Sequence, residues 1–94
     1  MVIEFSGKII YWRGPSPFFF VTVPARQSRD IKAVSSLVTY GWGVIPVHVR
    51  IGKTEFTTSL FPKDGRYLVP VKVSVRKAEN LEKGDKVSLR LEIR

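Results

Sequence analysis

His48 is the only histidine of the chain and there is no cysteine. A multi-histidine or thiolate-bound metal site is therefore excluded, and a Ser-His-Asp relay has one candidate base. His48 alternates with Val47 and Val49, which points it away from the side those valines bury. Ser59 sits in Thr57-Thr58-Ser59, a polar strand segment and no nucleophile elbow. The carboxylates are dispersed: Asp64 and Asp85 fall in turns, Glu79 and Glu82 flank a short helical turn, and no two are paired as an acid and a base. Gly41-Trp42-Gly43 lacks the third glycine and the lysine of a phosphate-binding loop. The sequence predicts no catalytic residue, no metal site and no cofactor.

What remains is positive charge. Sixteen Lys and Arg against eight Asp and Glu give +8 in 94 residues, a field attractive to nucleic acid, acidic proteins or anionic lipid. Arg66, Lys72 and Arg76 are expected on the face opposite the valines of one strand, and Lys86, Arg90 and Arg94 on the corresponding face of the last. Arg50 and Lys53 lie near one hairpin turn, Lys63 and Arg66 near another. If the two strands adjoin, Arg50, Lys72, Arg76 and Arg90 form an anion- or nucleic-acid-binding stripe whose affinity falls steeply with salt. Outward strand positions are also charged simply to solvate a sheet and protect it from aggregation. Tyr11, Trp12, Tyr40, Trp42 and Tyr67 could stack on bases, whereas Phe18, Phe19 and Phe20 read as core.

These side chains must be carried on strands. Ile3 to Tyr11 alternates with period two and is broken by Gly14-Pro15-Ser16-Pro17. Phe18 to Val23 follows, then a helix from Ser28 to Val38, with Ser28 as its cap and Ile31, Val34, Leu37 and Val38 on one face. Val44 to Ile51 and Thr54 to Phe61 flank a Gly52-Lys53 turn, and Asp64-Gly65 favours a type I′ hairpin. Tyr67 to Val75 gives five matches to period two, a single helical turn spans Arg76 to Asn80, and Val87 to Ile93 alternates to the end. Six strands with one apolar face each predict a small closed or partly open six-stranded β-barrel with one helix between strands 2 and 3.

Length and composition agree with one domain over residues 1–94. The apolar fraction is 44% and the charged fraction 26%, ordinary for a globular chain. No apolar run approaches the roughly 20 residues of a membrane helix, and Met1 to Phe5 lacks a signal-peptide layout. A cytoplasmic protein, monomer or homodimer, with no membrane association is expected.

Trp42-Gly43-Val44-Ile45-Pro46-Val47, Ile51-Gly52, Thr58 to Pro62, Gly65-Arg66-Tyr67, Leu68 to Lys72, Val75 to Ala78 and Gly84 to Val87 together resemble the domain of unknown function 1905. Trp12, Phe18 to Val23 and Pro24 match its early aromatic strand and "Val-Pro" strand. Phe56 departs from the pattern, where the family more often carries tryptophan. The resemblance implies a small β-barrel, sometimes joined to a bacteriocin-protection-type domain, with no established activity and no functional residue to carry over. A shorter likeness runs from Val69-Pro70 through Leu81 to Val87, similar to the end of swapped-hairpin transcription factors of the AbrB type. It rests on Gly84-Asp85, where glycine permits the reversal and aspartate can accept backbone hydrogen bonds.

The expectation is thus a non-catalytic interaction barrel with a basic surface that binds an acidic protein or another partner. The alternatives are a nucleic-acid binder or a ligand or enzymatic pocket at a barrel mouth.

Overall fold

The structure, a computed structural model, describes residues 1–14, 18–38 and 44–93. The expectations for Pro15-Ser16-Pro17, Tyr40 to Gly43 and Arg94 lie outside the described residues, as do those for the side chains of Leu37 and Val38. In chain order the elements are β1 (Val2–Lys8), β2 (Ile10–Trp12), β3 (Phe18–Thr22), α1 (Ala25–Val38), β4 (Ile45–Ile51), β5 (Thr54–Lys63), β6 (Arg66–Val71), α2 (Val73–Glu79) and β7 (Lys86–Ile93). The strands form one sheet in the order β1-β7-β4-β5-β6-β3-β2, antiparallel at every pairing.

Period-two alternation explains most of the core. Val87, Leu89, Leu91 and Ile93 are buried along β7, and Val47, Val49 and Ile51 along β4, as expected. Val21, Val23, Leu60 and Val69 are fully enclosed on the same concave side, where Ile31 of α1 and Val75 of α2 cover it. The Asp64-Gly65 turn has positive φ at both residues, 51° and 77°, which a type I′ hairpin requires.

The mostly β architecture is as expected, but three details differ. The run from Ile3 to Tyr11 is two strands that change partner at Ile9. β1 pairs with β7 at one edge of the sheet and β2 with β3 at the other. At the crossing, Ile9 N–H donates to Asp85 O and Ile9 O accepts from Gly84 N–H, both at 2.8 Å. Among the described residues seven strands replace six, and the sheet is a curled half-barrel whose two edges are consecutive in the chain. Gly7 makes the crossing possible, because a Cβ there would lie 2.7 Å from Val21 Cγ1.

Secondly, the described residues form two helices. The sheet stops at Val71, Val73 turns outward at 55% exposure, and Arg76 N–H bonds to Lys72 O at 3.0 Å to start α2. Val71 and Val75 are four apart, a spacing that satisfies both period two and one helical face. Asn80 in the left-handed region ends α2, with Leu81 N–H closing on Arg76 O at 2.8 Å, a Schellman closure.

Thirdly, α1 begins at Ala25, so Ser28 is not its cap. Its side chain is 1% exposed. The hydroxyl donates to Val23 O at 3.1 Å and accepts from Tyr67 N–H at 3.2 Å. Val23 N–H meanwhile donates to Tyr67 O at 2.8 Å. Ser28 therefore bridges the last step of the β3–β6 ladder and ties α1 to the sheet.

The Gly84-Asp85 turn carries a structural role. Asp85 accepts the Glu82 N–H at 2.8 Å, as its residue type suggested. Among the described residues, no helix is long and apolar enough to cross a membrane.

Candidate functional site

The four basic residues singled out by sequence fall in two places. β6 and β7 are separated by β4 and β5, and Arg76 lies on α2, so the expected stripe does not form. Arg50 and Arg90 are directly opposite each other on β4 and β7. They face outward over a shallow hollow of about 530 Å³ that also involves Glu4, Ser6 and Ser88. Its charges are balanced: the register across the sheet reads Glu4, Arg90, Arg50, Glu55. Arg90 Nη1 lies 3.9 Å from Glu92 Oε2, and Arg50 Nε donates to Gly52 O at 3.2 Å. Two cations between two anions on open sheet make a solvated face. His48 belongs to it, 3.5 Å from Glu55 Oε1.

Lys72 and Arg76 come together elsewhere. The chain leaves β6 at Lys72 and turns into α2, which sets both beside the end of β3. There they line a cleft of about 440 Å³ with Tyr11, Phe18, Phe19 and Val71. This is a mouth of the half-barrel, since Tyr11, Phe19 and Val71 carry the inward phase of their strands past the buried Ile9, Val21 and Val69. The Arg76 guanidinium carbon lies 3.6 Å from the centroid of the Phe19 ring. Phe19 in turn rests against Tyr11, with centroids 4.8 Å apart.

Arg76 is half-buried, and its Nε is sealed from solvent with no hydrogen-bond partner among the described residues. Nor does any described carboxylate pair with its guanidinium. A cation stacked on an aromatic face gains some attraction to the ring. A desolvated N–H with no acceptor remains costly. The arrangement is competent to take an anion attached to a flat apolar body, with Lys72 exposed at the rim. Among the described residues, no serine, histidine or carboxylate lines this cleft.

Sequence reasoning placed Phe18, Phe19 and Phe20 in the core: Phe20 is 9% exposed, Phe19 packs half-buried against the core, and Phe18 is a half-buried lining instead. The available signal was the run Phe18-Phe19-Phe20 itself. On a strand, successive side chains point to opposite faces, so three rings in a row cannot all enter one core. Tyr67 was a stacking candidate and is buried, at 6% exposure. Among the described residues, no cluster of three histidine or carboxylate side chains could hold a metal ion.

Residues 5–91 match the family described as domain of unknown function 1905. No curated protein matches the chain.

Proposed function

The chain belongs to the domain of unknown function 1905 family, and we propose that it is a non-catalytic binding module. Its cleft between β3, β6 and α2 takes a small anion, carboxylate or phosphate, carried on a flat apolar body. One observation carries this reading: the Arg76 guanidinium, stacked on Phe19, has a buried and unpartnered Nε in an aromatic cleft. A ligand anion would pair with the outer Nη groups of this half-buried guanidinium, while Tyr11, Phe18 and Val73 would cover its apolar part. Apolar walls with a few convergent polar groups are the usual make-up of a small-molecule site. Among the described lining residues there is no serine, histidine or carboxylate to work with Tyr11 or Lys72, which favours holding a ligand over transforming one.

The test is a titration of isotope-labelled protein with benzoate, phenyl phosphate and benzylammonium, followed by amide chemical shifts. The two anions should move the signals of Tyr11, Phe19 and Val71 to Arg76, and the cation of similar shape should not. Equal response to the cation, or shifts spread over the Arg50–Arg90 face, would remove the reading.

A further inference from the structure

We infer that the outer face of β2, β3, β6 and β5 is a stacking platform for single-stranded nucleic acid. It meets the cleft at Phe18, which lines both, and shares no cation with it. Ile10, Trp12, Phe18, Phe20, Phe61 and Leu68 share this convex side, as their register shows: Trp12 opposes Phe18, Ile10 opposes Phe20, and Phe61 opposes Leu68. The outer face of an antiparallel sheet is ordinarily polar. Here Ile10 is 42%, Trp12 44% and Phe61 45% exposed. The rings adjoin, with centroids 5.5 Å apart for Trp12 and Phe18 and 5.3 Å for Phe18 and Phe20. Two shallow hollows of about 470 and 220 Å³ meet over Phe20, Lys63 and Leu68. Phe20 and Leu68, 9% and 8% exposed, form the floor between these more open side chains, and an exposed apolar patch of this kind marks a partner surface.

Charge selects the partner. Lys63 and Arg66 stand opposite each other at the end of the β5–β6 ladder, and Arg13 follows Trp12 at the free edge. None of the three has an ion-pair partner among the described residues. The only carboxylate along the two hollows is Asp64, in the hairpin turn. Glu4, Glu55 and Glu92 all lie on the other half of the sheet. Exposed rings edged by unpaired cations, in a chain of net charge +8, complement flat bases linked by phosphates. Single-strand-binding surfaces combine these two elements.

The experiment is fluorescence anisotropy of a labelled short oligothymidylate with the full chain, from low to physiological salt, beside a duplex of equal length. The single strand should bind at least about tenfold tighter than the duplex. W12A/F61A should weaken it about tenfold or more with an unchanged salt slope, since each stacked base is lost separately. K63A/R66A should reduce that slope by about 1.4, two phosphate contacts at about 0.7 each. Arg50→Ala, on the charge-balanced half of the sheet, should leave binding within about twofold. A common urea midpoint for these variants keeps folding out of the comparison. Duplex binding equal to single-strand binding, indifference to W12A/F61A, or no binding at all overturns the proposal. So does loss of binding in Arg50→Ala, which would put the strand on the other half of the sheet. A dimer in sedimentation that W12A/F61A dissociates overturns it as well, by making the face an interface between two copies.

Discussion

Replacing Arg76 with methionine should separate a binding role from a structural one, because the two make opposite demands on stability. Methionine keeps an unbranched, polarizable stem that can lie on Phe19 in place of the arginine. What the folded protein loses is the attraction of the guanidinium 3.6 Å above the ring, about 0.5 to 2 kcal/mol in a partly desolvated position. What it gains is relief from the sealed, unpartnered Nε, a penalty of about 1 to 3 kcal/mol. The two oppose, so the unfolding free energy should fall by no more than about 1 kcal/mol and rise by no more than about 2.5 kcal/mol. In melting temperature the largest loss is about 8 °C for a domain of this size. Binding should respond very differently. Loss of a charge-assisted hydrogen bond of about 1.5 to 3 kcal/mol weakens an aryl carboxylate or phosphate about 10- to 150-fold. Urea unfolding by circular dichroism reads the first quantity and a calorimetric titration the second. If R76M loses more than about 2 kcal/mol of stability, Arg76 is a strut between α2 and β3, and the case for the cleft fails. Parent-like affinity in a stable R76M would refute it equally.

Three further substitutions test the scaffold that holds these surfaces. Ser28→Ala removes the hydroxyl serving both Val23 O and Tyr67 N–H and should cost about 2 to 4 kcal/mol in urea unfolding, two buried groups left unpaired. A loss under about 0.5 kcal/mol would mean that these ladder neighbours pair directly once the hydroxyl is gone. Gly7→Ala places a methyl 2.7 Å from Val21 Cγ1 and should destabilise by about 1 to 3 kcal/mol, with the amide shifts of Val21 and Thr22 moving most; shifts confined to β7 would refute the crossing. Gly52→Ala sets a side chain at φ +59° against the Glu79 carboxylate, displacing its 2.6 Å hydrogen bond from Thr54. The expected loss is about 2 kcal/mol, and exchange protection of the Thr54 region should fall with it; an unchanged midpoint would show that α2 is not pinned to the β4–β5 turn.

The strands were legible wherever one period had one explanation. β7 and β4 alternate cleanly and face one core, so burial follows directly from the sequence. The period was silent on partners. Ile3 to Tyr11 keeps its phase through Ile9, so nothing in the pattern reveals that the chain crosses from one edge of the sheet to the other. Val71-Lys72-Val73-Ser74-Val75 satisfies two periods at once, and the helix is decided by the end of the neighbouring ladder, a tertiary fact. Ser28 has the residue type of a cap, and only the position of Tyr67, 39 residues away, makes it a bridge. Lys72 and Arg76 were found for a sound reason, unbalanced charge, but assigned to a strand face they do not share. Arg50 and Arg90 were found by the same signal, which cannot see Glu4 and Glu55 beside them.

The crossing at Ile9 also bears on why the two halves of the outer face differ. Even-numbered residues of one continuous segment point outward on both sides of the bend. Before it they are Val2, Glu4, Ser6 and Lys8; after it they are Ile10 and Trp12, both more than 40% exposed. The backbone makes the same demand of both halves, a solvated outer face; the first meets it from Glu4 onward, after Val2 at 48% exposure, and the second does not. Exposed rings at Trp12 and Phe61 therefore add little to the fold, since side chains this open forgo much of the stabilisation that burial would bring. Threonine at both positions should hold the strands through its β-branch and leave the urea midpoint near that of the parent, while weakening oligothymidylate binding about tenfold or more. If W12T/F61T unfolds early instead, these rings are the lid of the β2–β3 edge, and their exposure reflects only a core too small to enclose them.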